Sequence, residues 1–189
     1  MAYIGIFSVN GIAFHYGNNF VVGSNGGTVN ANYANTTLSG TVTGGNAFTK
    51  TGGYKLTLTG STVTLGAVTV SGSELQIGNA GNTPTTTLSG ALSIASGATL
   101  SYYATGSYSR SNTITGAGSL VTYGSGSLTL SGDLSGFSGT IDMSQGAVSS
   151  NSLTLNTSFG GTVKTSGSGH LTVNTSANTT LTGTLNTPY

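Results

Sequence analysis

The feature that most constrains this chain is the brevity of its apolar segments. They run for a few residues, alternate with Ser or Thr, and stop at Gly, Asn or Ser, as in Leu56–Leu58 and residues 128–130. Alternation with a period of two predicts a strand with one buried face. We therefore expect the leucines to point inward, and Thr57 and Thr59 to face water. Because no ten-residue stretch has a helical period, the sequence predicts essentially no helix.

Two internal echoes recur along the chain. A Leu-Thr-Leu pattern that follows a glycine by two or three residues occupies residues 53–60 and 126–132, with a weaker copy at 169–174, and a Thr-Thr-Leu-Ser/Thr-Gly pattern occupies residues 36–42, 86–92 and 179–185. Strands this short are marginal alone, but stacked coils pair each strand with those above and below. Spacings of 18 or 19 residues, between Leu38 and Leu56, Leu56 and Leu75, and Leu153 and Leu171, predict coils of about 18–25 residues.

These patterns predict a single all-β array over residues 1–189, built as a parallel β-helix, or β-solenoid. An antiparallel β-sandwich is the structural alternative, but it would need longer strands joined by two-residue turns. Residues 1–22 form an apolar N-terminal segment that we interpret as a cap or an assembly strand. That segment has no basic start and polar residues interrupt it, so it predicts neither a signal peptide nor a membrane span.

Composition restricts the function further. The chain has 32 glycines, no cysteine, four Lys or Arg and three Asp or Glu, for a net charge of +1. So few charges give no basic patch for nucleic acid. The lack of cysteine removes disulfides, thiolate metal sites and cysteine nucleophiles. A low proportion of apolar residues suits the narrow core of a solenoid better than the thick core of a globular domain.

Residues 48–60 (FTKTGGYKLTLTG) and 67–78 (AVTVSGSELQIG) resemble the autotransporter-associated β-strand repeat. That repeat is found in passenger domains of bacterial type V secreted proteins. A looser copy begins at residues 116–120 and continues through 126–132 to 137–141. The resemblance implies a right-handed parallel β-helix located outside the cell or on its surface.

Candidate catalytic groups are few. Glycoside hydrolysis needs two cooperating carboxylates, and Asp133 and Asp142 lie nine residues apart, with Glu74 as the third acid. We interpret Asp133 as a turn residue and Asp142 as an outward strand residue. His15 and His170 are far apart in sequence, with no acid nearby to suggest a triad or metal centre. The sequence therefore predicts no catalytic, cofactor-binding or metal-ligating residue, and no cofactor.

One stretch concentrates aromatic rings beside a cation: Tyr102, Tyr103, Tyr108 and Arg110. Tyr and Arg are enriched at interface hot spots, so this cluster is the predicted interaction site, for glycans or for a lateral contact between fibres. The alternative is a loop that merely packs on the solenoid.

Thr-x-Thr triplets form a second surface pattern. They occur at residues 57–59, 62–64 and 113–115, and they are similar to those of flat ice-binding β-helices. Their irregular spacing argues against one continuous row of threonines.

We therefore expect a non-enzymatic extracellular or cell-surface structural protein that associates with itself, head to tail, into fibres or matrix. The alternative is an adhesin passenger fragment that binds a host surface or glycans. A polysaccharide-degrading enzyme is the least favoured hypothesis, because only three carboxylate side chains are present.

Overall fold

The computed structural model describes residues 2–4, 6–9, 14–145, 152–165, 170–174 and 180–187. All the regular structure within them is β. The strands are β1 Ala2–Ile4, β2 Ile6–Val9, β3 Phe14–Tyr16, β4 Phe20–Val22, β5 Gly27–Ala31, β6 Thr36–Leu38, β7 Val42–Thr43, β8 Phe48–Thr51, β9 Leu56–Leu58, β10 Thr62–Leu65, β11 Val68–Val70, β12 Glu74–Ile77, β13 Thr85–Leu88, β14 Leu92–Ile94, β15 Thr99–Tyr103, β16 Ser107–Arg110, β17 Ile114–Gly116, β18 Ser119–Tyr123, β19 Ser127–Leu130, β20 Thr140–Asp142, β21 Ser152–Leu155, β22 Thr162–Lys164, β23 His170–Val173 and β24 Thr184–Asn186.

Up to β19 the chain winds through three sheets in turn, so that every third strand pairs with its predecessor in the same sheet, and beyond that point it alternates between two sheets. A five-stranded sheet has the order β1-β4-β7-β10-β13, and a six-stranded sheet has the order β2-β5-β8-β11-β14-β17. The nine-stranded sheet runs from β3 to β24. A four-stranded sheet, β16-β19-β21-β23, takes the place of the five-stranded sheet in later coils. All the pairings between these strands are parallel, which confirms the predicted β-solenoid.

The register fixes the coil length. Paired residues are separated by 18 positions at Ser152 and His170 and by 25 at Glu74 and Thr99, which bracket the offsets of the other described pairs. The predicted range of 18–25 residues is confirmed. Leu38 pairs with Leu58, however, rather than with Leu56.

Inward residues of successive coils stack into columns that form the core. One column in the nine-stranded sheet contains Leu56, Leu75, Leu100, Leu120, Ile141 and Val163, all essentially inaccessible to solvent. Burying an aliphatic side chain of this size contributes about 1.5–3 kcal/mol. The short alternating strands are therefore stable because each coil covers the apolar residues of the next.

The threonines flanking Leu58 depart from the expectation. Thr57 and Thr59 were predicted to face water, but both are buried, with Thr57 only 8% exposed. Gln76 is the register partner of Thr57 and lies on the same outer face. The side chain of Asn82 donates a hydrogen bond to the Thr59 carbonyl. Polar neighbours from the next coil therefore cover this part of the outer face.

The two Leu-Thr-Leu echoes do not occupy equivalent positions. β9, in the first copy, belongs to the nine-stranded sheet, whereas β19, in the second, belongs to the four-stranded sheet. The weaker third copy contributes β23, in the same sheet as β19. Repetition in the sequence therefore marks strand character and not a fixed position in the coil.

Glycines form a ladder at one corner. Gly118, Gly139, Gly161 and Gly183 lie in successive coils, and a Cβ atom at each of the last three would overlap the carbonyl oxygen of the glycine before it. The backbones are this close because the turn into the nine-stranded sheet is tight, as it is before β20 and β22. Only glycine fits such an approach.

One side of the solenoid is interrupted. The five-stranded sheet ends at β13 and the four-stranded sheet begins at β16, with no strand pairing between them. The Asn112 side-chain amide spans this step by donating to the carbonyls of Leu88 and Gly90, at 2.9 and 2.7 Å. The other two sides stay paired here, through β14 with β17 and β15 with β18.

The apolar N-terminal segment is built into the array. Its strands β1, β2 and β3 pair in parallel with β4, β5 and β6. Its role as a cap or assembly strand stays a prediction.

Candidate functional site

The predicted interaction cluster lies at the interrupted side. Tyr102 and Tyr103 end β15, and a short turn through Gly106 leads to Tyr108 and Arg110 on β16. Tyr102 continues the inward column of Leu58 and Ile77 and is only 3% exposed. Tyr103 points to the opposite face, because neighbouring strand residues alternate.

Three of the four side chains meet. The Arg110 guanidinium carbon lies 5.0 Å from the Tyr102 ring centroid and 5.5 Å from that of Tyr108, within range for a cation–π contact. Tyr103 pairs in register with Tyr123 on the outer face, away from this contact. The structure thus separates Tyr103 from the other three predicted residues.

Several polar atoms of this cluster lack an aligned partner. Among the described residues, no hydrogen bond forms at the buried Tyr102 hydroxyl or at Arg110 Nε and Nη2. Burial raises the pKa of Tyr102, and the Arg110 charge partly opposes that shift. The Tyr102 phenol is therefore neutral at physiological pH. The rings of Tyr102 and Tyr108 hold the Arg110 cation at the interruption between the five-stranded and four-stranded sheets.

The structure places Asp133 and Asp142 at different turns. Asp133 lies in the turn after β19, whereas Asp142 ends β20 in the nine-stranded sheet. Hydrogen bonds from Ser135 hold the pKa of Asp133 below its usual range, which is the opposite of what a general acid needs. Asp142 accepts hydrogen bonds from the Ser144 backbone and hydroxyl, at 2.8 and 2.6 Å. Both carboxylates order a turn locally.

The third acid belongs to a polar network on the outer face of the nine-stranded sheet. Glu74 accepts a hydrogen bond of 2.6 Å from Ser101 and a longer one of 3.4 Å from Tyr123. Lys55 lies 4.0 Å from the carboxylate and donates to Gln76. The partly exposed ion pair is worth little in stability, and we interpret the network as a solvated face.

A groove of about 550 Å³ lies beside Asp133. Its polar lining includes Asn156, Ser158 and Thr182. Beneath it the rings of Phe137 and Phe159 stack with centroids 5.6 Å apart, and both are buried. Hydroxyl, amide and carboxylate groups above an aromatic floor suit a polar ligand that can donate hydrogen bonds.

Lys50 was not singled out from the sequence, yet it is the most unusual charged residue. It points inward from β8, between Val29 and Val70 in register, and its side chain is fully buried. Its Nζ donates to the carbonyls of Gly52, Tyr54 and Gly72, at 2.9, 2.5 and 2.6 Å. The inward direction of Lys50 could have been found from the sequence, because strand alternation places Lys50 on the same face as Phe48.

The chemistry of this lysine is structural. Burial lowers its pKa to about 8, while the Glu74 carboxylate opposes that shift. A protonated amine has three donors, which match the three carbonyls. Lys50 therefore joins the corner after β8 to the following coil without needing an acidic partner.

Lys50 should make stability depend on pH. Because its pKa is about 8 in the native state and 10.5 in a free lysine, the unfolded chain retains a proton between these values that the native protein has released. Stability then rises with pH from about 8 to 10, by at most about 1.4 kcal/mol per pH unit. Urea unfolding at several pH values measures this rise.

The predicted pH dependence has a control variant, and it applies only up to about pH 10. Lys50→Met should lose the rise, and a flat wild-type profile would contradict the assignment. Above about pH 10 the raised pKa values of the buried Tyr102 and the half-buried Tyr123 act in the opposite direction, because only the native state keeps their protons.

The two histidines stay apart, His15 on β3 and His170 exposed on β23, and these strands belong to different sheets. Among the described residues there is no group of three His, Cys, Asp or Glu that could hold a metal ion. None of the described segments forms a helix that could cross a membrane. No family model, curated protein or solved structure matches the chain.

Proposed function

We propose that the protein is a non-enzymatic, extracellular structural protein whose solenoids associate head to tail into fibres or matrix. The observation that carries this proposal is Leu185, which is 48% exposed although it continues a column of fully buried residues. Above it in the same column lie Val163 and Ile141, neither of which is accessible to solvent. Leu185 is exposed because no described strand covers it.

Strands lie at the sheet edges at both ends of the described array. β1, β2 and β3 are each the last described strand of their sheets at one end, and β23 and β24 are the last described strands at the other. A strand at a sheet edge can pair with another chain through its backbone N–H and C=O groups. Adding a strand to an exposed edge is a recurrent mode of protein recognition.

The two ends are complementary in register. Phe14 on β3 and Leu185 on β24 occupy the same column of the nine-stranded sheet at its two ends. Pairing β24 of one molecule with β3 of the next would continue that parallel sheet and cover Leu185. Such a contact does not close on itself, so it propagates into a filament.

The charge distribution supports the same arrangement. The described end strands β1 to β3, β23 and β24 carry no Asp, Glu, Lys or Arg. Natural edge strands that avoid association often carry such charges. With a net charge of +1, repulsion between molecules is also weak. The extracellular location rests on the resemblance of residues 48–60 and 67–78 to secreted passenger repeats.

Leu185→Asp tests the proposal. The substitution places a charge at the centre of the proposed joint, while costing little stability because the side chain is half exposed. We expect long filaments to be lost, with the monomer remaining β-rich by circular dichroism. Negative-stain electron microscopy and analytical ultracentrifugation of both proteins measure the outcome.

Tyr33→Asp is the matched control, because Tyr33 is also a large exposed side chain, 58% exposed, but lies in a turn on the side of the array. It should assemble as the wild type does. Filaments of normal length from Leu185→Asp, or a wild type that stays monomeric at high concentration, would refute the head-to-tail joint.

A second candidate function is adhesion to glycans through the groove beside Asp133. Its side-chain lining of amide, hydroxyl and carboxylate groups offers several hydrogen-bonding partners for a saccharide. A wild type that stays monomeric and binds a glycan array, with loss of binding in Asn156→Ala, would support this function over assembly.

A further inference from the structure

Polar side chains occupy inward positions at the interruption between β13 and β16. Val63 and Leu128, in the coils before and after it, are buried members of the inward columns on this side. Thr86 continues the column of Val63, and Tyr108 continues that of Leu128. Thr86, Tyr108 and Arg110 are all partly exposed. The wall of the solenoid therefore has an opening here, through which solvent reaches the core side of β16.

Arg110 brings an uncompensated positive charge to this opening. It shares its column with the buried Leu130. It is the only arginine of the chain, and the sequence has no Asp or Glu between Glu74 and Asp133. Among the described residues the guanidinium has no ion pair within 4.0 Å, and its Nη1 donates only a long hydrogen bond, of 3.4 Å, to the Ser109 carbonyl. A partly desolvated cation without an anion is unfavourable, so this position favours an anionic ligand.

Three hydrogen-bond donors lie close together without an aligned partner. Nε and Nη2 form one edge of the Arg110 guanidinium, and their N–H bonds on that edge point in the same direction. Within the described part of the chain, neither nitrogen has an acceptor, and the buried Tyr102 hydroxyl has no partner either. Burial raises the pKa of Tyr102 while the nearby Arg110 charge opposes that shift, so the phenol keeps its proton beside the guanidinium and can donate it.

We propose that the opening between β13 and β16 binds the carboxylate group of an acidic ligand. The paired N–H bonds of a guanidinium edge match the two oxygens of a planar carboxylate. The Tyr102 hydroxyl donates a third hydrogen bond to one of those oxygens. The rings of Tyr102 and Tyr108, which flank the guanidinium, offer apolar surface to the carbon skeleton that bears the carboxylate.

Entry of the ligand requires a local movement, because Nε and Nη2 are covered in the free protein. Tyr108 and Arg110 lie on β16, whose edge towards β13 is not paired with another described strand. Both side chains are partly exposed, so they can rotate without disturbing the strand pairing of β16 with β19. Tyr102, fixed in the core, stays in place as the third donor.

Phosphate is the alternative anion for a guanidinium. It has more oxygens than three donors can satisfy, and its further oxygens would lie against the rings of Tyr102 and Tyr108. The face of an aromatic ring is itself negative, so that contact is unfavourable, and a carboxylate avoids it. The carboxylate can belong to a small organic acid or to the uronate unit of a polysaccharide, since the site chemistry is the same. This inference goes beyond the proposed assembly, because the opening lies on the side of the array and not at its ends.

Titration with sodium glucuronate at constant ionic strength tests the proposal, with glucose as the uncharged control. Because Arg110 is the only arginine, its Nε–H group gives a single NMR signal that reports the contact directly. We expect glucuronate to shift this signal until it saturates, and glucose to leave it unchanged. Sodium phosphate should need a higher concentration for the same shift. Isothermal titration calorimetry of the full chain measures the affinities.

Substitutions separate the three donors. Tyr102→Phe removes the hydroxyl and keeps the ring, so the affinity for glucuronate should fall about tenfold. Arg110→Lys keeps the charge but loses the paired donors, and it should weaken binding at least as much. Arg110→Met should abolish binding. Tyr103→Phe is the matched control, because Tyr103 follows Tyr102 on β15 but lies on the outer face, and it should bind as the wild type does. Melting temperatures confirm that each variant is folded.

The proposal is overturned if glucuronate leaves the Arg110 signal unchanged, if phosphate binds more tightly than glucuronate, or if Tyr103→Phe loses as much affinity as Tyr102→Phe. Trigalacturonate identifies the source of the carboxylate. Binding at least about tenfold tighter than that of the monomer indicates a polysaccharide whose neighbouring units also contact the protein. Equal affinity indicates a small organic acid.

Discussion

Gly139→Ala is expected to destabilise the protein by more than about 3 kcal/mol, at or beyond the upper end of overpacking substitutions. The new methyl group would overlap the Gly118 carbonyl oxygen of the coil above and press on the Phe137 ring. Backbone atoms of two coils would have to separate, which breaks the ladder on both sides. Urea unfolding followed by circular dichroism measures the loss.

Gly53→Ala is the control for this effect. No atom lies within 4 Å of a Cβ built there, and its backbone is outside the left-handed region. The substitution should change the free energy of unfolding by less than about 0.5 kcal/mol. Similar losses at the two glycines would mean that the ladder is not as tight as described.

Leu130→Ala is expected to cost about 2–5 kcal/mol, as cavities left by truncated leucines do. Leu130 is buried in β19, in register with Arg110 on one side and Leu155 on the other. A solenoid has a narrow core, so few neighbours can relax into the space. Chemical denaturation of the purified variant measures the difference.

Thr129→Ala, one residue earlier on the same strand, should cost less than about 1 kcal/mol because its side chain lies on the outer face. Equal losses at Thr129 and Leu130 would show that the two faces of β19 are wrongly assigned. The comparison keeps the strand, the coil and the neighbouring turns the same.

The strands themselves were predictable from the sequence. Period-two alternation marked described strands such as Leu56–Leu58 and Ser127–Leu130, and Gly, Asn or Ser marked their ends. This succeeds because the pleat and the turn conformations are local properties of a few residues. The stacking into a parallel array also followed, since strands of this length need neighbours.

The register of the strands, and the sheet to which each strand belongs, were not predictable from the local sequence. The position of a strand in its coil depends on the lengths of all the turns before it, so the echoes at residues 53–60 and 126–132 fell in different sheets. The burial of Thr57 depends on a side chain one coil away.

Only part of the candidate site could be predicted from the sequence. Tyr102, Tyr108 and Arg110 do lie together, as their closeness in sequence suggested, but Tyr103 lies on the other face. The inward direction of Arg110 could not be foreseen, because it depends on the interruption between β13 and β16. Lys50 was overlooked since its partners are carbonyls, which leave no mark in the sequence.

The interruption also divides the molecule mechanically. In an array where each coil contacts only its neighbours, stability is a sum of nearest-neighbour couplings, and the step between β13 and β16 keeps strand pairing on only two of its three sides. On the third side the Asn112 side chain takes the place of a backbone ladder. The six-stranded sheet ends at β17, so the described junctions that follow also keep strand pairing on two sides, and under tension along the axis the coils up to β15, which are paired on all three sides, should part last. A fibre built from such units would therefore yield in steps within each subunit as well as at its joints.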